Sequence, residues 1–406
     1  MTTGGQAYQK SVNISLIMRV LRQNPGISRT GIAARTGLTK STVTNLVREL
    51  MALGLLVEAD VQEPSNGRTT GSSFGAASSR TGASESGGER TGGRPRVGLR
   101  IAAESHLVAG VELRPEGFDA VVQDLAGTTL AGYRHFRPGR TLTLRSAFGR
   151  AFDVVSKDYP QITAVGVALP ATVNPVQGVV LNSTSFGLAE PAFREAAEVP
   201  EDLPILIEND ANAVAWGAVG HESAGPAGDL LAVVARFGCT GEGGIRVGTG
   251  LVLNGRVYHG SGFSAGEFHS APWRLGDPGE LSRRSERELR PAVAELFESL
   301  GVAVSMLRPR RLVYAGDLVE HAELIASLLS QELSGSAVDP DVSGCPIEPS
   351  REGDLAVAAG AAAMFRERLF ALPAVDEPRP RELPRWEQMG GARHAPEPVG
   401  RSEEAG

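Results

Sequence analysis

The sequence predicts an α/β protein in which an N-terminal winged helix-turn-helix domain precedes a larger, two-lobed α/β body. Three observations lead to this prediction: two short helical segments joined by a turn in residues 28–54, a pair of strand patterns after them, and alternating strand-like and helix-like runs over residues 102–371. The body contains two β-rich starts, each followed by helices, which favours two lobes with a cleft between them.

The segment SRTGIAARTGLTKSTVTNLVRELMALG has the pattern of a helix-turn-helix. Ser28 can cap the first helix and Thr39 the second, because their hydroxyls can accept from the unpaired amides of a first turn. Gly37 suits the left-handed conformation at which the first helix must reverse. A preceding amphipathic helix is predicted over residues 12–23. In the second helix a core stripe follows the i, i+3, i+4, i+7 spacing and consists of Val43, Leu46, Val47 and Leu50.

The opposite face of the second helix carries small polar groups and one arginine, which a DNA major groove can accept. The candidate DNA contacts on this helix are Lys40, Ser41, Thr42, Thr44, Asn45 and Arg48. Residues 1–57 hold seven Lys and Arg against one acid, whereas the whole chain has a net charge of −7, so the basic excess is local. The alternative is a trihelical lobe whose polar face is only solvated.

Two strand patterns, residues 55–59 and 96–101, complete a winged helix, so residues 1–101 are assigned to the DNA-binding domain. Between them, 19 of the 30 residues 64–93 are Gly, Ser or Thr, a composition that predicts a disordered wing insert. The insert ends in the basic turn GGRPR. Its Arg94 and Arg96 either contact DNA at phosphates or in a minor groove, or belong to a plain linker.

The body, residues 102–371, has a regular succession of elements. Strands are predicted at residues 107–113, 118–124, 128–136, 162–169, 205–208, 230–236, 249–253, 256–259 and 311–315. Helices are predicted at residues 144–157, 211–220, 286–300, 322–333 and 355–369. The Pro-, Glu-, Arg- and Gly-rich tail, residues 372–406, is predicted to be disordered.

Composition excludes several classes of protein. The two cysteines, Cys239 and Cys345, are far apart and have no histidines near them, so neither a disulfide framework nor a metal cluster is expected. No apolar run approaches 18 residues and the N-terminus lacks a signal core, so we expect a cytoplasmic protein without a membrane partner.

Several short motifs in the body, in this order, resemble those of the ROK family (repressors, open reading frames and kinases). They are GVEL at 110–113 with DLAG at 124–127, GVALP at 166–170, ENDANA at 208–213, GTGLVLNG at 248–255 and AGE at 265–267. The resemblance covers about residues 11–371. It implies an actin-like, sugar-kinase-like fold for the body, and a winged helix-turn-helix in front of it is the arrangement of the family's regulators.

One departure from the family concerns the turn that holds the ATP phosphates in ROK kinases. In the kinases, an acidic residue is followed by a Gly-Gly-Thr turn. This chain has ELRPEG at residues 112–117 instead. Pro115 has no amide hydrogen to donate, and Glu116 would repel a triphosphate. The Cys/His zinc motif that follows the family's Gly-Glu segment is also missing. We therefore expect no catalysis, no metal and no cofactor.

The residues that match the family's sugar contacts are retained. The resemblance implies that Asn209 and Asp210 bind sugar hydroxyls, that Glu267 binds others, and that Asn182 adds a contact. A carboxylate can accept from two vicinal hydroxyls, which suits this role. The alternative for the Asn209–Asp210 pair is a helix cap at a strand end. His269, one position before the family's usual histidine, is either a further ligand contact or an ordinary histidine.

Together these features indicate a transcriptional regulator, most simply a repressor. Its partners would be a double-stranded DNA operator, a sugar or sugar derivative, and a second copy of the chain in a homodimer. Two alternatives are a ROK-type ATP-dependent sugar kinase that carries a DNA-binding domain, and a regulator that answers to a protein partner instead of a sugar.

Overall fold

The computed structural model describes residues 3–59, 97–136, 141–220, 228–237, 245–267, 286–335, 345–373 and 379–389. The predicted wing insert 64–93, Arg94, Arg96, Cys239 and His269 lie outside these ranges. No helix among the described residues combines the length and the apolar composition needed to cross a bilayer.

The N-terminal domain is a winged helix-turn-helix, as predicted. Its elements are α1 Thr3–Gln23, β1 Ile27–Ser28, α2 Arg29–Thr36, α3 Lys40–Ala52, β2 Leu56–Ala59 and β3 Gly98–Ile101. The sheet has the order β1-β3-β2 and is antiparallel throughout. Ile14, Ile17 and Leu21 of α1 are buried, as their spacing predicts. Strand β1 was not predicted, because two residues are too short to show an alternating pattern.

The first lobe of the body is built on a five-stranded mixed sheet of order β11-β7-β4-β5-β6, with helices against its outer face. The elements are β4 Leu107–Arg114, β5 Gly117–Asp124, β6 Thr129–Phe136, α4 Leu144–Asp158, β7 Ile162–Leu169, β8 Thr172–Asn174, β9 Val179–Ser183, β10 Leu188–Ala189, α5 Phe193–Ala197, β11 Ile205–Asn209 and α6 Asp210–Gly220. Strands β8 to β10 form a separate small sheet beside the end of β7 and were missed in the sequence.

The second lobe has a five-stranded sheet of order β14-β13-β12-β15-β16. Its elements are β12 Leu230–Phe237, β13 Ile245–Leu253, β14 Arg256–Tyr258, α7 Glu286–Leu307, β15 Arg311–Gly316, α8 Ala322–Gly335 and β16 Ile347–Pro349. Each strand and helix predicted in the body is present, with its ends shifted by a few residues. The two sheets confirm the predicted two-lobed, actin-like architecture.

The lobes are joined through α6 and the alanine-rich helix α9, Ala356–Phe370, which pack closely on one another. Close packing requires small residues: a β-carbon at Gly360 would overlap the carbonyl oxygen of Ala213 in α6, and one at Gly110 of β4 would overlap that of Ala358. The far end of α9 enters the core of the DNA-binding domain, where Phe365 and Phe370 share one apolar cluster with α1. Helix α9 therefore contacts the sheets and the DNA-binding domain.

The prediction of a disordered tail is wrong for residues 379–389. A short helix, α10 Trp386–Met389, packs on α1, and the side chains of Leu383, Trp386 and Met389 are buried. The ring of Trp386 lies edge-on to that of Phe370, with 4.9 Å between centroids. The prediction failed because the tail is mostly polar. Its three buried apolar side chains pack on two helices that are distant from the tail or from each other in the sequence.

Candidate functional sites

The turn between α2 and α3 is formed by the residues that the sequence singled out. Ser28 Oγ accepts from the amide of Gly31 at 3.2 Å, and Thr39 Oγ1 accepts from the amide of Thr42 at 3.2 Å. Gly37 ends α2 in the left-handed conformation with φ of 72°. The caps and the glycine therefore set the angle at which α3 leaves the domain.

Helix α3 buries one face and exposes the other. The predicted stripe of Val43, Leu46, Val47 and Leu50 is buried. The candidate contacts Lys40, Ser41, Asn45 and Arg48 are exposed, whereas Thr42 and Thr44 are half-buried. The hydroxyl of Thr44 donates to the Lys40 carbonyl at 2.8 Å, and the hydroxyl of Thr42 lies 2.9 Å from that of Thr39. Lys40, Ser41, Asn45 and Arg48 are therefore the candidate side chains that are placed to reach a DNA groove.

If Arg48 contacts a base, replacing it by alanine should weaken operator binding by about 1–3 kcal/mol and relax the preference at one base pair, because a guanidinium can donate two hydrogen bonds to a guanine edge. Lys40→Ala is the matched comparison: a phosphate contact at the start of α3 should weaken binding without changing the preferred sequence. Selection of binding sites from a random DNA pool measures both. An unchanged preference in Arg48→Ala would remove Arg48 from base recognition.

A second set of polar residues gathers where strands of the first lobe end, facing the second lobe. Asn209 ends β11, and its side-chain oxygen accepts from the amides of Ala211 and Asn212 at 2.9 and 3.2 Å. Its Nδ2 donates to the Ala171 carbonyl at 3.1 Å. Asn209 therefore caps α6 and ties it to the end of β7, which is the structural role that the sequence left open as an alternative.

Asp210, the first residue of α6, is half-buried next to β13. A β-carbon at Gly248 would lie 3.3 Å from Asp210 Oδ1, so the glycine leaves room beside the carboxylate. Burial raises the pKa of Asp210 to about 6, and the negative charge of Glu112 adds to the rise, while Arg236 and Arg246 oppose it. This carboxyl group therefore changes protonation close to neutral pH.

Glu267 and Asn182 both lie next to Thr172 of β8. Glu267 is exposed, its backbone pairs with Gly248, and its carboxylate accepts from the hydroxyl of Thr172 at 2.8 Å. Asn182 of β9 is the register partner of Thr172 in β8, so the two side chains share one face of the small sheet. Three of the predicted sugar contacts thus come from different elements and meet around Gly248 and Thr172.

Two arginines on neighbouring strands of the second lobe contact residues of the first lobe. Arg236 of β12 and Arg246 of β13 are register partners and therefore share a face of the second sheet. Arg246 donates to the hydroxyl of Ser185 and so links the two lobes. Sequence patterns missed both arginines because each lies in a run that reads as an ordinary strand.

Arg236 contacts Glu112, the first residue of the segment 112–117 that the resemblance led us to compare with the phosphate turn of ROK kinases. Its guanidinium makes two hydrogen bonds of 2.6 and 2.8 Å to the carboxylate of Glu112 and one of 3.3 Å to Asp317. Glu112 is almost completely buried. Burial alone would raise the pKa of Glu112, but Arg236 and Arg114 lower it further than burial raises it, so the group stays ionised. The two lobes are thereby joined by a buried ion pair.

A third cluster surrounds Glu208, directly before Asn209. The carboxylate is fully buried, lies 2.8 Å from His259 Nε2 and 3.7 Å from Arg368, and accepts from the backbone amide of Asn209 at 3.0 Å. Burial would raise the pKa of Glu208, but the bond to His259 and the charge of Arg368 lower it overall. Glu208 thus fixes the strand end that carries Asn209 and Asp210. In the sequence, Glu208 stood out only as the first residue of the ENDANA motif.

The chain is similar to known proteins in both its N-terminal domain and its body. Residues 13–57 match the model of a winged helix-turn-helix DNA-binding family, and residues 108–276 match the model of the ROK family. The xylose repressor of Bacillus subtilis (strain 168) is 24% identical over 306 residues, which cover 74% of this chain and 71% of the repressor.

Two solved structures show the same fold. A ROK family transcriptional regulator described as a homologue of the E. coli MLC protein superposes with a TM-score of 0.64 and 16% identity, covering 94% of this chain and 98% of its own. A ROK family glucokinase from Streptomyces griseus, in complex with glucose and AMPPNP, superposes with a TM-score of 0.52 and 17% identity, covering 64% and 98%. The first match includes the DNA-binding domain, and both include the two-lobed body.

Proposed function

We propose that this chain, which matches the ROK family over residues 108–276 and carries a winged helix-turn-helix DNA-binding domain, is a transcriptional repressor controlled by a sugar. The domain binds a double-stranded operator in the cytoplasm, most simply as a homodimer on two half-sites. The sugar or sugar derivative binds between the lobes. One observation carries the sugar assignment: Asp210, Glu267 and Asn182 come from different elements and lie around Gly248 and Thr172, while Arg236 is held by Glu112.

The packing supports a route from this site to the DNA-binding domain. Asp210 begins α6, α6 packs on α9 at Gly360, and α9 ends in the apolar cluster that contains α1. A sugar that draws the lobes together would therefore displace a helix that also touches the DNA-binding domain. In a dimer, half-sites lie about 34 Å apart for each turn of DNA, so a small rotation of the domains destroys the fit.

The sugar response should depend on pH and on Asp210. Ionised Asp210 accepts from sugar hydroxyls, and hydrogen bonds to a charged group contribute about 1.5–3 kcal/mol each. With a pKa of about 6, the carboxylate is protonated as the pH falls through that value, so sugar affinity should decrease from pH 7.5 to pH 5. Asp210→Asn should weaken the response by roughly tenfold at pH 7.5 and remove most of the pH dependence.

The measurement is operator binding titrated with xylose, glucose and other monosaccharides at several pH values, for wild type and Asp210→Asn. Operator binding without sugar is the internal control and should be equal in the two proteins. Equal sugar responses would exclude Asp210 from the site. If no sugar changes operator binding or the melting temperature, a protein partner becomes the better candidate for the controlling ligand.

The enzymatic alternative is a ROK sugar kinase with a DNA-binding domain, in line with the kinase fold match. The buried Glu112–Arg236 pair argues against it, because a triphosphate at that turn would have to displace a guanidinium from a carboxylate with which it makes two hydrogen bonds. Formation of a sugar phosphate from ATP by the purified protein decides between the two.

A further inference from the structure

A large basic groove separates α1 of the DNA-binding domain from the body. Its volume is about 1430 Å³, and its walls come from α1, the end of α6, β14, the end of α9 and residues 379–385. The described lining includes nine arginines but only two acidic residues, Asp229 and Glu367. Asp210, Glu267 and Asn182 are not among the lining residues, so the groove is separate from the proposed sugar cleft.

Of the two carboxylates that line the groove, Asp229 accepts from the backbone amide of Asn254, and Glu367 is already shared between two arginines. Glu367 accepts two hydrogen bonds from Arg22 at 3.0 and 2.9 Å and lies 3.4 Å from Arg366. In contrast, Arg19, Arg310 and Arg385 are exposed, and no carboxylate of the described residues lies within 4.0 Å of their guanidinium groups. These three cations face the groove from α1, from the loop before β15 and from the C-terminal segment.

Like charges are also crowded along the walls. Burial lowers the pKa of Arg379, and the charge of Arg385 lowers it further. Burial likewise lowers the pKa of Arg366, and Arg22 adds to that effect, although Glu367 opposes it. Crowded and partly desolvated cations cost free energy unless an anion lies between them. The arrangement therefore favours a negatively charged occupant.

The groove also offers aromatic surface. Tyr8, Trp216 and Phe370 line it, and the guanidinium groups of Arg368 and Arg22 lie 5.2 and 4.6 Å from the ring centroids of Trp216 and Phe370. Guanidinium groups bind phosphate oxygens in pairs of parallel hydrogen bonds. The volume exceeds the range of about 300–1,000 Å³ that is usual for small-molecule sites, so it can hold more than one phosphate group or an organic body besides the phosphate.

We propose that this groove is a second effector site, which binds a small organic phosphate between the DNA-binding domain and the body. The occupant would contact Arg19 on α1 together with Arg310 and Arg385, and so connect the DNA-binding domain to the body. Glu208 links the groove to the proposed sugar site, since His259 and Arg368 line the groove and both contact Glu208, which accepts from the amide of Asn209.

The test uses the full-length protein and two phosphate probes, fructose 1,6-bisphosphate and pyrophosphate, with fructose and sulfate as comparators at 0.15 M salt. Fructose 1,6-bisphosphate should raise the melting temperature and bind in calorimetry both in wild type and in Asp210→Asn, whereas fructose should do neither in Asp210→Asn. The double variant Arg310→Gln/Arg385→Gln should weaken this binding by at least roughly tenfold, because the phosphate loses two charged hydrogen-bond donors. Both residues are exposed, so the fold should be unaffected.

Two controls make the result specific. Arg145→Gln/Arg150→Gln removes the same charge from the exposed face of α4 and should bind the probe as wild type does. Asp210→Asn should retain the phosphate response, which separates this groove from the sugar cleft and keeps the result independent of the proposed function.

Three outcomes would overturn the proposal: no phosphate probe binds at millimolar concentration, the double variant at Arg310 and Arg385 binds as wild type does, or Asp210→Asn abolishes the response. If no probe binds but operator affinity falls in that double variant, the groove contacts nucleic acid instead, and the small-phosphate assignment is equally overturned.

Discussion

Replacing Arg236 by methionine should lower the free energy of unfolding by about 3–5 kcal/mol. The side chain makes two hydrogen bonds to Glu112, whose carboxylate is 1% exposed, and its removal leaves a buried charge without its main partner. Urea denaturation of the purified variant measures the effect. A loss of this size is a large fraction of the stability of a typical domain, so poor expression of the single variant is part of the expected result.

The double variant Glu112→Gln/Arg236→Met separates the loss of the pair from the loss of packing. Removing both charges should recover most of the stability, because the buried carboxylate no longer needs a counterion. Arg145→Met is the matched control for a lost arginine: Arg145 pairs with Glu198 on the surface, where both side chains are more than half exposed, so little change is expected. A single Arg236 variant as stable as wild type would contradict the assignment of a buried ion pair between the lobes.

Replacing Trp386 by alanine should have an effect of comparable size, about 3–5 kcal/mol, because the ring is 3% exposed and removing it leaves a cavity. The ring packs against Phe370, in the same cluster as the core of the DNA-binding domain. The variant should therefore also weaken operator binding, since α1 would lose part of the surface that holds it. Urea denaturation and operator titration measure the two consequences.

Arg381→Ala is the control for Trp386, because it changes an exposed residue of the same C-terminal segment and should alter stability by no more than about 0.5 kcal/mol. Equal stability of Trp386→Ala and wild type would show that α10 does not pack on the domain in solution, and the original expectation of a disordered tail would then stand for residues 379–389 as well.

The helix-turn-helix was predictable in detail because its determinants are local. The caps at Ser28 and Thr39, the reversal at Gly37 and the buried stripe of α3 all depend on residues a few positions apart. The body was predictable for the same reason at the level of strands and helices, since an apolar run of eight residues between turns is visible in one dimension.

The candidate cleft was predictable only in part. Asp210 and Glu267 were found through their place in family motifs, but their environment was not. Glu112 and Arg236 are 124 positions apart, and Arg246 and Ser185 are 61 apart. No short-range pattern relates such residues, because strand register and lobe packing bring them together.

What the sequence determined by itself is therefore the class of the molecule: a winged helix-turn-helix in front of a two-lobed α/β body. What only the tertiary structure decided is the use of the charged and apolar residues between elements. In the folded chain Asn209 caps a helix, Glu112 pairs with Arg236 across the lobes, and Trp386 is buried although its segment is polar in composition. The physical reason is that caps and periodic stripes act over one or two turns, whereas burial and ion pairing depend on surfaces that exist only after the chain has folded.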